Sequence, residues 1–271
     1  MTLDPDVSEW LNLLTRWFHV FAGILWIGTT YFFTGLDARF TEAEAGDKAS
    51  GAEVWMVHSG GFYVIEKRQT HEPSRQLHWF RWEAALTWLS GFLLLVLVYY
   101  MGGALIDRDV RDISLTMGII ISVSLLVVAW LVYDLMMLSP LGRNGRAFAL
   151  IAYLLIVATT YGLTRVFSGR AAYIQVGAIF GTIMAANVWM RILPAQRRMI
   201  AAIKEGRKPD AALAERAKLR SKQNTYMVVP LVFTMISNHF PVATYGSRYN
   251  WTILAGLILL GWLAAHFIRK A

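Results

Sequence analysis

The chain has 271 residues, of which 56% are hydrophobic and only 16% charged, well below the roughly 25% usual in soluble domains, a balance that suits lipid and argues against a water-soluble domain. Its formal charge of +8 comes from Lys and Arg placed between apolar runs, with no aromatic-basic surface of the kind that stacks bases, so nucleic acid is excluded as a partner. The absence of cysteine rules out disulfides, thiolate-ligated metals, iron–sulfur clusters and covalently attached haem within the chain, and leaves histidine as the natural haem or soft-metal ligand.

Met1 to Trp10 carry Asp4, Asp6 and Glu9 and no basic n-region, so the first apolar run reads as a retained span and not as a cleavable signal. Seven runs are long enough to cross a hydrocarbon core, which takes about 20 helical residues: 11–36, 78–101, 114–138, 146–167, 171–193, 224–241 and 250–268. The first reads "RWFHVFAGILWIGTTYFF" and sets His19, Gly23 and Trp26 on one helical face. A glycine one turn from a buried imidazole gives a flat macrocycle room to approach the backbone; a hydrogen-bonded packing histidine is the plainer alternative.

The connection 37–77 is longer than adjacent helices require. Its second half, "VWMVHSGGFYVIEK", holds His58 and flanks Ser59-Gly60-Gly61 with apolar residues, which predicts a small hairpin or re-entrant turn capping the bundle. The second span opens on His78, Arg81 and Glu83, and Glu83, Thr87 and Ser90 recur at helical spacing as a polar stripe. Asp134 lies near one end of the third span, Asn187 and Arg191 near that of the fifth, and His266 near that of the seventh. Intramembrane ionisable groups mark a pathway or a site, so this set predicts a pocket, with interhelical ion pairs of Glu83 or Asp134 with Arg81 or Arg191 as the alternative. Arg16 and Arg165 stand close enough to helix ends to snorkel.

The segment 194–223 reads as a helix–turn–helix broken at Gly206 to Pro209, basic enough to lie on anionic headgroups or simply to be solvated. The sixth span is the shortest and most polar, with Asn224, Thr234, Ser237, Asn238 and His239, and is expected to line the interior. His19 and His239, at similar depth on different helices, are what a six-coordinate haem b needs. Tryptophans at the span ends need no function beyond an aromatic belt; Trp26 and Trp88 lie deeper. Lys and Arg crowd 37–77, 139–145, 194–223 and 269–271, which orients the N-terminus outside and the C-terminus inside. The expected fold is an all-α integral membrane protein, a polytopic bundle of about seven transmembrane helices forming a single membrane domain over 1–271, with a cytoplasmic hairpin-like loop.

"WFHVFAGILWIGTTYFF", "VHSGGFYVIEK", "LHWFRWEAALTWLSGF", "GTIMAANVWMRILPAQRRMIAA" and "VPLVFTMISNHFP", taken in order, resemble the N-terminal membrane domain of the membrane-bound, cytochrome-c-linked urate oxidases. The resemblance implies a bacterial inner-membrane enzyme of purine catabolism that oxidises urate to 5-hydroxyisourate and passes electrons to a cytochrome c. The family's further span and cytochrome domain lie beyond the sequence that ends at Ala271, so the acceptor is expected as a separate or missing domain, and the family pattern favours histidine where Gln223 stands. On this reading Glu83, His78, His58 and Asp134 are catalytic candidates, Arg81, Arg191, Asn187 and Asn224 bind substrate, and His19, His239, Gly23 and Trp26 hold haem b, with the two imidazoles on its iron. A haem-b anchor or electron-transfer subunit without a substrate of its own, and a small-anion or metal transporter, are the competing classes.

Overall fold

A computed structural model describes residues 4–46, 53–67 and 77–269. Helix α1 (Pro5–Gly46) is followed by a hairpin of β1 (Glu53–His58) and β2 (Gly61–Glu66), then by α2 (Trp82–Leu94), α3 (Leu115–Leu138), α4 (Gly145–Leu163), α5 (Gly169–Ala186), α6 (Leu193–Lys204), α7 (Ala211–Ile236) and α8 (Asn250–Ile268). α2 runs on to Met101 through a π-helical stretch, and α5 continues into α6 through another at Asn187–Ile192. That second widened turn has a local cause. Pro194, in the first turn of α6, has no N–H to offer the preceding turn, and the extra residue absorbs the lost bond and the ring's bulk.

Six helices are long and apolar enough to cross a membrane among the described residues: α1, α2 with its extension, α3, α4, the joined α5–α6 and α8. They present large apolar side chains outward, among them Trp17 and Ile24 of α1, Val127 and Leu135 of α3, Leu150 and Leu154 of α4, and Leu260 of α8. Water would not support such continuous apolar faces, and lipid does. The chain is a multi-pass membrane protein.

The count differs from the expected seven at α7. This helix starts at Ala211, well before the expected 224, and ends in a short 3-10 turn at Ser237–His239. Its first half carries Glu215, Arg216, Lys218, Arg220 and Lys222, which dilutes its apolarity, while Asn224, Thr225, Met227, Val228, Leu231 and Thr234 are buried among other helices. Thus the polar helix lines the interior, as its composition predicts. The helix–turn–helix of 194–223 forms with its break at Gly206, yet both arms continue the spans instead of forming a separate surface hairpin. Two span ends also shift: α1 extends past 36, and α2 begins at Trp82, leaving His78 and Arg81 before the helix.

α5 is the central helix, with more than half of its apolar window buried. It packs against α7 so closely that a methyl group added at Gly177 would sit 2.1 Å from Thr234 Oγ1. Thr234 cannot easily turn aside, because its hydroxyl donates to the Leu231 carbonyl at 2.7 Å. Gly177→Ala is therefore expected to destabilise the protein by about 1–3 kcal/mol through overpacking, and Thr234→Ala in the same chain to restore part of the loss, as read from thermal unfolding in detergent. An unchanged midpoint in the single variant would show that the helices part freely.

The hairpin matches its sequence pattern. Ser59 and Gly60 both take positive φ, 50° and 78°, the two-residue turn geometry whose twist suits antiparallel strands. Val54, Met56 and Ile65 pack on Leu36 and Phe40, so the hairpin caps the extension of α1.

Candidate functional site

The polar residues of the spans gather into two separate places. The first is a charge network joining α3, the π-helical turn after α5, and α7. Asp134 Oδ1 accepts from Arg191 Nε at 2.9 Å and lies 2.7 Å from an Arg220 Nη, while its other oxygen is paired with Arg191. Arg220 Nη1 donates to Asn187 Oδ1 at 3.0 Å, and its guanidinium stands 5.2 Å from the centre of the Tyr133 ring. Asn187 Nδ2 donates to Tyr133 Oη at 3.1 Å and to Asn224 Oδ1 at 2.9 Å, and Asn224 Nδ2 donates to the Met184 carbonyl at 3.1 Å. Asp134, Asn187, Arg220 and Asn224 are all buried.

In low dielectric a charge is tolerated when it is paired and its remaining donors and acceptors are met, and here they are. The expected ion pair of Asp134 with Arg191 exists, but the more deeply buried partner of Asp134 is Arg220, from the basic segment 194–223. The legible signal was spacing: Arg220 lies one turn before Asn224, and a helix continued backward from Asn224 carries both on one face.

Arg81, Glu83, His78 and His58 stay out of that network. Arg81 precedes α2 with its guanidinium 5.4 Å from the Trp82 ring, and Trp82 meets Trp189, two residues from Arg191, edge to face at 5.9 Å. Arg81 Nε and Glu83 Oε2 are shielded from solvent and have no hydrogen-bond partner among the described residues. His78 is exposed with its ring edge on Phe80 at 4.6 Å, and His58 is exposed beside the hairpin turn.

The second place is a cavity of about 470 Å³ between α1, α2, α5 and α7. All four residues expected around a haem line it: His19, Gly23, Trp26 and His239. His19 Nδ1 lies 3.0 Å from the Thr87 carbonyl and 3.0 Å from Ser90 Oγ. A carbonyl only accepts, so Nδ1 carries a proton, and in the neutral ring Nε2 keeps its lone pair. The Ser90 hydroxyl already donates to the Leu86 carbonyl at 2.6 Å and fits as the second acceptor. This is how proteins orient a metal-binding imidazole, one nitrogen anchored and the other presented. Gly91 lets it happen: a Cβ there would stand 2.9 Å from His19 Cε1, so the ring lies against bare α2 backbone. The polar stripe of α2 thus serves the histidine through Thr87 and Ser90, a partnership that spacing within one helix does not reveal. Arg16 and Asn238 also line the cavity, and Arg170 Nε donates to Asn238 Oδ1 at 3.0 Å.

No curated protein and no solved structure matches the chain. The profile of the family described as urate oxidase N-terminal matches residues 5–271, which takes in α1 to α8, the buried network and the histidine-lined cavity together. The chain belongs to the urate oxidase N-terminal family.

Proposed function

We propose that the chain is the membrane domain of an oxidase that converts urate to 5-hydroxyisourate and passes electrons through haem b to a cytochrome c, in a bacterial inner membrane with the N-terminus outside and the C-terminus inside. Family membership supports urate, and the observation that carries the redox reading is that His19 and His239, from helices far apart in sequence, line one cavity. The residues present fit haem b. A neutral imidazole offers Nε2, a second imidazole shares the space, and Gly23, Ala178 and Gly181 leave its walls low. At about 470 Å³ the cavity falls within the usual range of ligand pockets. Arg16 at its wall suits a carboxylate of the macrocycle. When bound, haem b supplies one-electron transfer.

The net reaction is urate plus water giving 5-hydroxyisourate, two protons and two electrons. Asp134, Asn187 and Asn224 direct their hydrogen bonds to Arg220, Arg191, Tyr133 and one another, so their part is to fix the helix ends around the site. Substrate contact falls to Arg81 and Glu83, whose shielded Nε and Oε2 have no partner among the described residues. Arg81 pairs with the negative charge of urate and Glu83 accepts a proton, with Trp82 and Trp189 at hand for a planar ring. His78, exposed five residues before Glu83, relays the proton to water.

Purified, air-oxidised protein mixed with urate is expected to show haem reduction in its visible spectrum. Haem that dithionite reduces and urate does not would leave only an electron carrier, and a colourless preparation would overturn the haem reading in favour of transport.

A further inference from the structure

A larger cavity, about 620 Å³, lies between α3, α4, α5, α7 and α8; it shares Tyr133 with the charge network and has no other part in the proposed oxidation. We infer that it binds a membrane quinone. Its walls are chiefly apolar, and α3 and α4 meet mainly through the turn at Pro140–Arg143, so the space between them opens sideways. Val128 and Val132 of α3 and Leu155 of α4 line this gap and are exposed on the apolar outer face, so a ligand enters from the hydrocarbon phase. A polar solute such as urate does not travel that way.

The polar end of the cavity is made of Arg146, Lys222, Gln223, Tyr226 and His266, with no carboxylate among the lining residues. Tyr226 Oη and His266 Nδ1 are 3.2 Å apart. If the phenol donates to Nδ1, the other ring nitrogen holds a proton to give. Trp262 stands in the same wall with its indole N–H shielded from solvent and unpartnered among the described residues. A site rich in donors, set at one end of an apolar slot open to lipid, calls for a ligand whose carbonyl oxygens accept and whose remainder is hydrocarbon. A quinone has that chemistry.

Its position also suits electron exchange. α5 and α7 form the wall between the two cavities: Ile179, Phe180 and Met227 face the larger one, while Ala178, Gly181 and Val228 face the one holding His19 and His239. The separation is about one helix thickness, on the order of 10 Å. Reduction of a quinone to its quinol takes up two electrons and two protons. These are what urate oxidation releases, so a quinone bound here would take them in place of the cytochrome c, and urate, water and quinone would give 5-hydroxyisourate and quinol. The source of the electrons rests on the proposed function; binding does not.

The test uses the full chain in phosphatidylcholine nanodiscs, without urate, titrated with a benzoquinone bearing a decyl tail while tryptophan quenching is followed. Saturable binding is expected, with Tyr226→Phe and His266→Ala each weakening it roughly tenfold, the worth of about one hydrogen bond. Ala152→Trp, which fills the cavity, should abolish it. Equal binding by the parent and the Tyr226 and His266 variants overturns the proposal, as does equal competition by decyl alcohol, which would mark a crevice for lipid tails. If Ala152→Trp fails to fold, the two polar variants decide. Because the measurement reads binding without urate and without haem reduction, its failure is separable from failure of the oxidase reading.

Discussion

Alanine in place of Asp134 is expected to cost about 3–5 kcal/mol of stability, because it leaves guanidiniums buried without their counter-charge. Arg220 dominates that cost: its side chain is only 5% exposed, against 39% for Arg191, which can turn toward water. Truncating Arg191 should accordingly matter far less, nearer the 0–1 kcal/mol of an exposed pair. Asp134→Asn should fall between, since an amide oxygen still accepts a hydrogen bond while the charge is gone. Thermal unfolding in a fixed detergent ranks the three variants. The order matters more than the sizes: if Arg191→Ala proved as damaging as Asp134→Ala, the network would be held by its outer member, contrary to the burial pattern. A network that joins α3, α5 and α7 at one end also holds the helices that separate the two cavities. Loss of Asp134 is therefore expected to loosen both sites together.

Removal of His19 or His239 is expected to abolish the haem-b absorbance of the purified protein. An unchanged Soret band in both variants would end the assignment. The two losses should differ in their collateral effect. His19 is buried and anchored to Thr87 and Ser90, whereas His239 sits exposed in the 3-10 turn after α7, so His19→Ala also removes packing against α2. A third variant isolates orientation from ligation. Gly91→Val places side-chain atoms where the His19 ring lies, the first of them 2.9 Å from Cε1, and keeps both histidines. It should lower haem content through displacement of the imidazole. Retention of full haem content would show that the ring has another resting place.

Much of this molecule follows directly from its sequence. The period and length of the apolar runs predict membrane helices, Ser59-Gly60-Gly61 between apolar flanks predicts a hairpin or re-entrant turn, of which the hairpin forms, and the five ordered motifs lead to the family. His19, Gly23 and Trp26 stand out in the sequence because a histidine deep in an apolar helix is conspicuous against its neighbours, and His239 because it ends the most polar span; the four line one cavity. Arg220 was not legible in the same way, since it stands in a run of basic residues where one side chain looks like the next. Only the backward extension of α7 distinguishes it, by burying it on the same face as Asn224 while Lys218 and Lys222 stay exposed.

The sequence by itself determined what must lie in lipid and which residues are chemically capable, because hydropathy, helical period and ionisable character are properties of the chain. Tertiary structure decided who meets whom. Whether Asp134 is a free acid or a paired one, and whether Thr87 and Ser90 belong to a polar stripe or to an imidazole, depends on which helix faces which. So does the division of the bundle into two cavities by α5 and α7. Pairings of this kind join residues far apart in the chain and turn on close approach at Gly91 and Gly177, where the missing side chain lets two helices touch. Local pattern contains no term for that contact, and packing supplies it.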